Sequence, residues 1–342
     1  AVNAGDAYIG ATVTLTDDIA LTGEWTPIGS SDTPFQGTFD GGGRTVSGLQ
    51  ITWNGWEYAG LFGVAGTVRN LTVDGSIKTA GASGSDMAYV GGVAGRAGTL
   101  SNCTNVVDIS TGRAQVGGLA GSAAGASGCK NYGMIEIKVS GIEAIDVGGI
   151  LGAMSSSAPE ITKCANYGNI TFDGGVYSVT DSKTGVTTTG DRASGEFGGL
   201  IGSSTGGGKI TDSCNKGSIT GDMRFAGGLL GNANGVLTAS NCYSAGAITA
   251  TGDDSNKLRV RLGGLVGSSN YSRYDLTLEN CYCTGQVTAE KSSASIKVGE
   301  LQCNDVDRGQ DGGGTAVSTV TNSYGPSQKA QITVSQLGGA YK

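Results

Sequence analysis

Eight cysteines, 29 carboxylates and no histidine set the chemistry open to this chain. Without histidine there is no Ser-His-Asp or Cys-His nucleophile system and no His-ligated zinc. A pair of carboxylates can still cleave a glycosidic bond, one giving a proton while the other attacks or activates water. Three pairs lie close in sequence: Asp17 with Asp18, Asp253 with Asp254, and Asp305 with Asp307. Adjacent residues of a strand point to opposite faces, which disfavours the first two pairs. Asp305 and Asp307 share a face, but "NDVDRGQDGGG" reads as a solvated loop. That loop also offers Asp305, Asp307 and Asp311 to a hard cation such as calcium. The spacing lacks the ligand order of an EF-hand, so the calcium question stays open. Asp40 in "FDGGG" reads as a turn residue that bonds its own backbone. No catalytic residue, metal ligand or cofactor is assigned, binding residues are undetermined, and the chain is expected not to be an enzyme.

The cysteines look like a disulfide framework until their context is compared. Cys103, Cys129, Cys164, Cys214, Cys242 and Cys281 each open an element close to C-x-x-x-G-x-[IV], as in "CKNYGMI" and "CYSAGAI". Leu71 and Ser323 stand in the same slot of the first and last copies. Upstream of each copy comes G-G-hydrophobic-x-G, at Gly91, Gly117, Gly148, Gly198, Gly227 and Gly263, with degenerate versions "AGLFG" at Ala59 and "GELQC" at Gly299. A phosphate-binding glycine loop occurs once, before a helix. Eight copies, with the complete pairs 26 to 50 residues apart, describe a stack of structural units instead. Equivalent residues of stacked parallel strands lie about 4.8 Å apart, so the six cysteines are expected to form a buried column of free thiols. Cys283 and Cys303 fall off that column and are the candidates for a specific bridge. The residue before the cysteine slot is Asn at Asn70, Asn102, Asn241, Asn280 and Asn322, which suggests an amide ladder along the stack.

Composition agrees with a narrow repetitive core. The 342 residues include 63 glycines, 4 prolines and only 6% aromatics. No stretch sustains helical periodicity, whereas segments such as "MIEIKV" and "LTLENCY" alternate like strands. Each turn is expected to hold three short strands, around the glycine pair, ahead of the cysteine and around the later Ile or Val. They would pair with the next turn rather than through hairpins, which makes an all-β parallel solenoid. Residues 1–58 are expected to form N-terminal turns or a cap, and residues 59–342 the repeat solenoid. Trp25, Trp53 and Trp56 would cap the open end rather than stack on sugars. An ice-binding face needs regular Thr-x-Thr arrays, and "TAT" at Thr249 has no regular counterparts. The net charge of −7 disfavours a nucleic-acid grip, and no run of 18 apolar residues exists to span a membrane.

"EWTPIG", "FQGTFDGGGRTVSGLQI", the "GGLxG" copies and the "NCY" elements resemble the GLUG-motif repeats of large bacterial surface and secreted proteins, including amino-terminal regions of some immunoglobulin-A proteases. The resemblance runs from about Ala11 to Lys342. It implies a right-handed parallel β-helix, export, and a fragment of a longer protein. The expected function is an extracellular structural or adhesive segment, a stalk or filament subunit, with a glycan-active β-helix enzyme (polysaccharide lyase or glycosidase) as the alternative. The partner would be a protein or glycan of a host or neighbouring cell, and end-to-end self-association is a further option. Between Ile109 and Gly117 a separation of 8 residues closes the coil, whereas Ile170 and Gly198 are 28 apart. The excess, "VYSVTDSKTGVTTTGDR", reads as a hairpin-like ornament on one edge and as the expected contact.

Overall fold

A computed structural model describes residues 1–52, 57–78, 88–112, 115–138, 145–156, 159–173, 176–180, 187–191, 195–251, 260–269, 275–290, 296–303 and 318–327. The chain is a parallel β-solenoid. Each turn gives one strand to an eight-stranded parallel sheet and its other segments to a 27-stranded parallel sheet that wraps the remaining faces. One turn shows the plan: Ile145–Gly148, Leu151–Met154, Glu160–Thr162, Ala165–Asn166 and Ile170–Asp173. Each of these pairs in parallel with its counterpart in the next turn. The expected strand around the glycines splits at the glycine pair, and a two-residue strand follows the cysteine. Inward positions are filled by small aliphatic side chains such as Val147, Leu151, Ile161 and Ile170, all essentially inaccessible.

The first turns use longer strands, Phe35–Thr52 and Phe62–Lys78, whose pairing shifts register at three places to round the corners. Phe35, Phe39 and Phe62 fill this end, with Phe39 and Phe62 edge to face at 5.0 Å. Trp25 packs on the core, and its Nε1 donates to the Leu61 carbonyl (3.0 Å). Trp53 and Trp56 lie outside the described residues.

The glycine pair has a packing cause. Asn105, Asn131, Asn166 and Asn215 lie two residues past the thiol slot and are buried to 0% exposure. Their amides form a ladder: Nδ2 of each donates to Oδ1 of the next, at 2.8, 2.8 and 2.9 Å. The same nitrogens also donate to carbonyls of their own turns, at Val107, Gly133, Gly168 and Gly217. Such a ladder satisfies every polar atom without water. The second glycine of each pair lies against it. A Cβ at Gly92, Gly118, Gly149 or Gly199 would overlap the side chain of Asn105, Asn131, Asn166 or Asn215 respectively. In the last copy Glu300 takes the second glycine position and faces Gly325 in the ladder column, so the volume has changed sides of the contact.

The asparagines before the thiol slot have a different primary role. Asn70, Asn102, Asn241, Asn280 and Asn322 all adopt positive φ between 46° and 54°, as do Lys163 and Asp212 at the equivalent position. Asparagine tolerates this left-handed corner better than most residues. The expected ladder survives in two short stacks. Asn70 donates to Asp40 (3.0 Å) and Asn102 to Asn70 (3.3 Å). Asn241 donates to Asp212 (3.1 Å) and Asn280 to Asn241 (3.2 Å).

The thiol column holds five of the six expected cysteines. Cys214 pairs with Ala165, one place beyond the column, and Ser213 fills the slot, its Oγ accepting from the Cys164 amide (3.1 Å). All eight cysteines are buried and free, Cys283 and Cys303 included. Contact with Cys129, reinforced by burial, pushes the Cys103 and Cys164 thiols well above their ordinary range. Burial pushes Cys283 up to about 12. Such thiols are poor nucleophiles and poor metal ligands.

Candidate functional site

None of the three carboxylate pairs read from neighbouring positions forms a site among the described residues. Asp17 Oδ1 accepts the Asp18 amide (2.9 Å), and Asp18 Oδ1 accepts the Thr45 amide (2.8 Å), so both carboxylates are spent on backbone. Asp253, Asp254, Asp305, Asp307 and Asp311 lie outside the described residues. Asp40 is the expected turn residue and more: it accepts from the Gly42 amide and from Asn70, and it pairs with Arg69 at 2.8 Å. Those hydrogen bonds, Asn70 first, hold its carboxyl below the usual range.

A carboxylate pair does exist, assembled from residues 50 apart in sequence. Residues two before the first glycine of each motif point out of the eight-stranded sheet, and register places Asp146 directly beside Glu196. Gln115 Nε2 donates to Asp146 Oδ2 (2.9 Å), and Asn232 Nδ2 donates to Glu196 Oε1 (2.7 Å). The four side chains make one polar row across four turns. Burial, and then the charge of Glu196, pushes Asp146 up to about 7, against the opposing hydrogen bond from Gln115. Asp146 therefore keeps its proton well above the usual carboxyl range. A proton-holding carboxyl beside a second acidic side chain is an arrangement that general acid–base chemistry can use.

The same outward column gives the pair its surroundings. Toward the N-terminus Tyr58 and Tyr89 stack at 5.1 Å and 13°. A cleft of about 360 Å³ at that end is lined in part by Asn3, Ser30, Thr33, Glu57 and Tyr58. Beyond Glu196 come Phe225, with the Arg224 guanidinium 4.6 Å from its ring, and the buried Arg261. The residue after the third motif glycine lies near this column; there Ser122, Ser203, Asn232 and Ser268 are buried. The signal was in the sequence as "DVGG" and "EFGG", an acid at the one outward position ahead of the glycine pair. The 28-residue interval between Ile170 and Gly198 hid the adjacency.

That interval contains an antiparallel hairpin, Val176–Thr180 with Thr187–Asp191, outside both parallel sheets. No helix among the described residues is long and apolar enough to cross a membrane.

No protein-family model matches the sequence, so the GLUG resemblance has no family match behind it. No curated protein matches it either. Among solved structures, one similar chain is described as a "putative immunoglobulin A1 protease" from Bacteroides ovatus, at 20% identity and a TM-score of 0.48, over 93% of this chain and 79% of that one. The expectation that this chain is not an enzyme is corrected here: a solved structure similar to it carries a protease description, and the missing histidine does not by itself set enzymatic activity aside. At that identity the likeness transfers no activity.

Proposed function

We propose that the chain is the rigid segment of an exported bacterial surface protein, a stalk or adhesive rod that holds its decorated edges toward a molecule of a host or neighbouring cell. The observation that carries this reading is the parallel ladder itself, which runs turn upon turn from Thr12–Thr14 to Ser318–Thr321. A stack with one continuous core resists bending and displays insertions at fixed positions along one edge. The resemblance of "FQGTFDGGGRTVSGLQI" and the glycine copies to GLUG repeats supports export and surface location. Protease shaving of intact source cells should release fragments of the chain; complete protection would overturn the surface assignment. Replacing residues 176–192, which span the hairpin, by a short Gly-Ser linker should keep the β circular dichroism and lower adhesion to cells or matrix. Unchanged adhesion in that folded variant would exclude the hairpin as the contact.

One observation favours a second reading, glycan cleavage. Asp146 and Glu196 share an outward face with stacked tyrosines, and neighbouring parallel strands set such residues about 4.8 Å apart. The two carboxyls are close enough to share a hydrogen bond, so the pair would have to part to reach the separation of about 5 Å that retaining glycosidases use. If it holds, polysaccharides should yield new reducing ends that disappear in Glu196→Gln; a full panel without turnover sinks it.

A further inference from the structure

The face that backs onto the buried amide ladder carries a second side-chain array, distinct from the Asp146–Glu196 row. The position after each ladder asparagine points outward, and in successive turns it holds Val106, Tyr132, Tyr167 and Lys216. Tyr132 and Tyr167 stack at 4.7 Å and 4°, and Lys216 Nζ lies 5.3 Å from the Tyr167 ring. Both rings are held by rigid backbone: the Tyr132 amide donates to the Asn105 carbonyl and the Tyr167 amide to that of Asn131, each at 2.8 Å. They are nonetheless open to solvent, Tyr132 at 47% and Tyr167 at 36%, and Met134 beside them is 55% exposed. Because each ring covers the face of the next, the stack presents edges and hydroxyls, one per turn.

The charge of this array runs against that of the molecule. Across the turns of Tyr132, Tyr167 and Lys216, the outward positions flanking the thiol slot and the ladder add Lys130 and Lys163, both exposed. The one acid among those nine positions is Asp212, whose Oδ1 already accepts from Asn241. Three lysines against Asp212 and Asp108, the latter accepting from the Met134 amide, make a basic, aromatic strip on a chain whose net charge is −7.

We propose that Lys130, Tyr132, Lys163, Tyr167 and Lys216 form a binding strip for an anionic polysaccharide, a carboxylated or sulfated glycan lying along the axis of the stack. Lysines would pair with the acidic groups, while tyrosine edges and hydroxyls meet the sugar rims and hydroxyls. The strip repeats once per turn, at about 4.8 Å, a step comparable to one pyranose unit. A folded protein partner fits less well, because charged residues are depleted from the cores of protein interfaces and here the lysines interleave with the aromatics. Nucleic acid fits less well because bases bind by stacking on aromatic faces, and here each ring face is covered by its neighbour.

The assignment deepens the adhesive reading and rests on it only for where such a glycan is met. The full chain should be titrated by calorimetry with polygalacturonate and with dextran sulfate, against neutral dextran, poly-glutamate and duplex DNA. Binding to at least one anionic polysaccharide, weakening as salt rises and absent for neutral dextran, is expected. Tyr132→Ala with Tyr167→Ala, and separately Lys130→Ala with Lys216→Ala, should each weaken it about tenfold or more. Both pairs are at exposed sites, so unchanged thermal melts are required of each variant; should the tyrosine pair lower the melt, the lysine pair carries the test. Deleting the hairpin should leave the affinity unchanged. Equal binding of neutral dextran, tighter binding of poly-glutamate or DNA, or wild-type affinity in the folded variants overturns the strip. Glycan binding by the purified chain together with no adhesion to cells or matrix would instead refute the adhesive reading and leave the strip standing.

Discussion

At the scale of single residues, the Asp146–Glu196 pair makes stability depend on pH in an uncommon direction. Asp146 has its pKa raised to about 7 from an ordinary value of 3.8. Between those limits the native state holds a proton that the unfolded chain has released, so stability falls as pH rises. Each tenfold gain in proton affinity corresponds to about 1.4 kcal/mol, an upper bound for a group this strongly coupled to its neighbour. Asp146→Asn keeps the shape and can still bond Gln115 and Glu196. Its thermal midpoint should therefore exceed that of the parent at pH 8 and converge with it near pH 4. Parallel curves across that range would show that Asp146 does not hold a proton in the native state above its ordinary range. This site is legible in the sequence only in part. The acid two places before the glycine pair is visible in "DVGG" and "EFGG", but which acids meet depends on register across an insertion, and local sequence does not encode that.

The turn is the element, and most of it can be read directly. The eight glycine motifs appear as the eight strands of one sheet and their cysteine elements as strands of the other, because each motif meets the same packing demand in every turn. Two details escape for physical reasons. In "SCNKGSI" the order of serine and cysteine decides the slot, and a serine satisfies a thiol position by hydrogen bonding, so the cysteine pattern alone puts Cys214 one residue off. The asparagines before the slot are selected mainly for a left-handed corner, while the true amide ladder is the less conspicuous C-x-N two residues later. That ladder stops at Ser244, which follows Asn215 in the column and whose Oγ is buried without a hydrogen-bond partner. The glycine facing it, Gly228, is already present. Ser244→Asn should continue the ladder, accept the next rung and raise stability by roughly 1 kcal/mol, read as a higher urea midpoint at constant m-value. A lower midpoint would mean that Cys283 above it leaves too little room.

For the whole molecule, stability is a sum of turns and of the contacts between neighbouring turns, so unfolding should proceed from the ends inward rather than all at once. The eight buried thiols are built-in reporters of that order. Cys129 lies deep in the stack, with turns paired on both sides of it. Cys283 and Cys303 belong to the last described turns, where Val287–Ala289 and Ile296–Gly299 carry few fully buried side chains. The opposite end carries the phenylalanine cluster and Trp25 and lacks a cysteine until Cys103. In native buffer a thiol reagent should modify few of the eight. As urea rises below the main transition, Cys303, Cys283 and Cys281 should label first, Cys242 and Cys214 next, and Cys129 and Cys164 last, with peptide mass spectrometry assigning each site. Labelling of all eight at one rate would mean that the solenoid opens as a single cooperative unit, its ladders coupling the turns too strongly for the ends to fray.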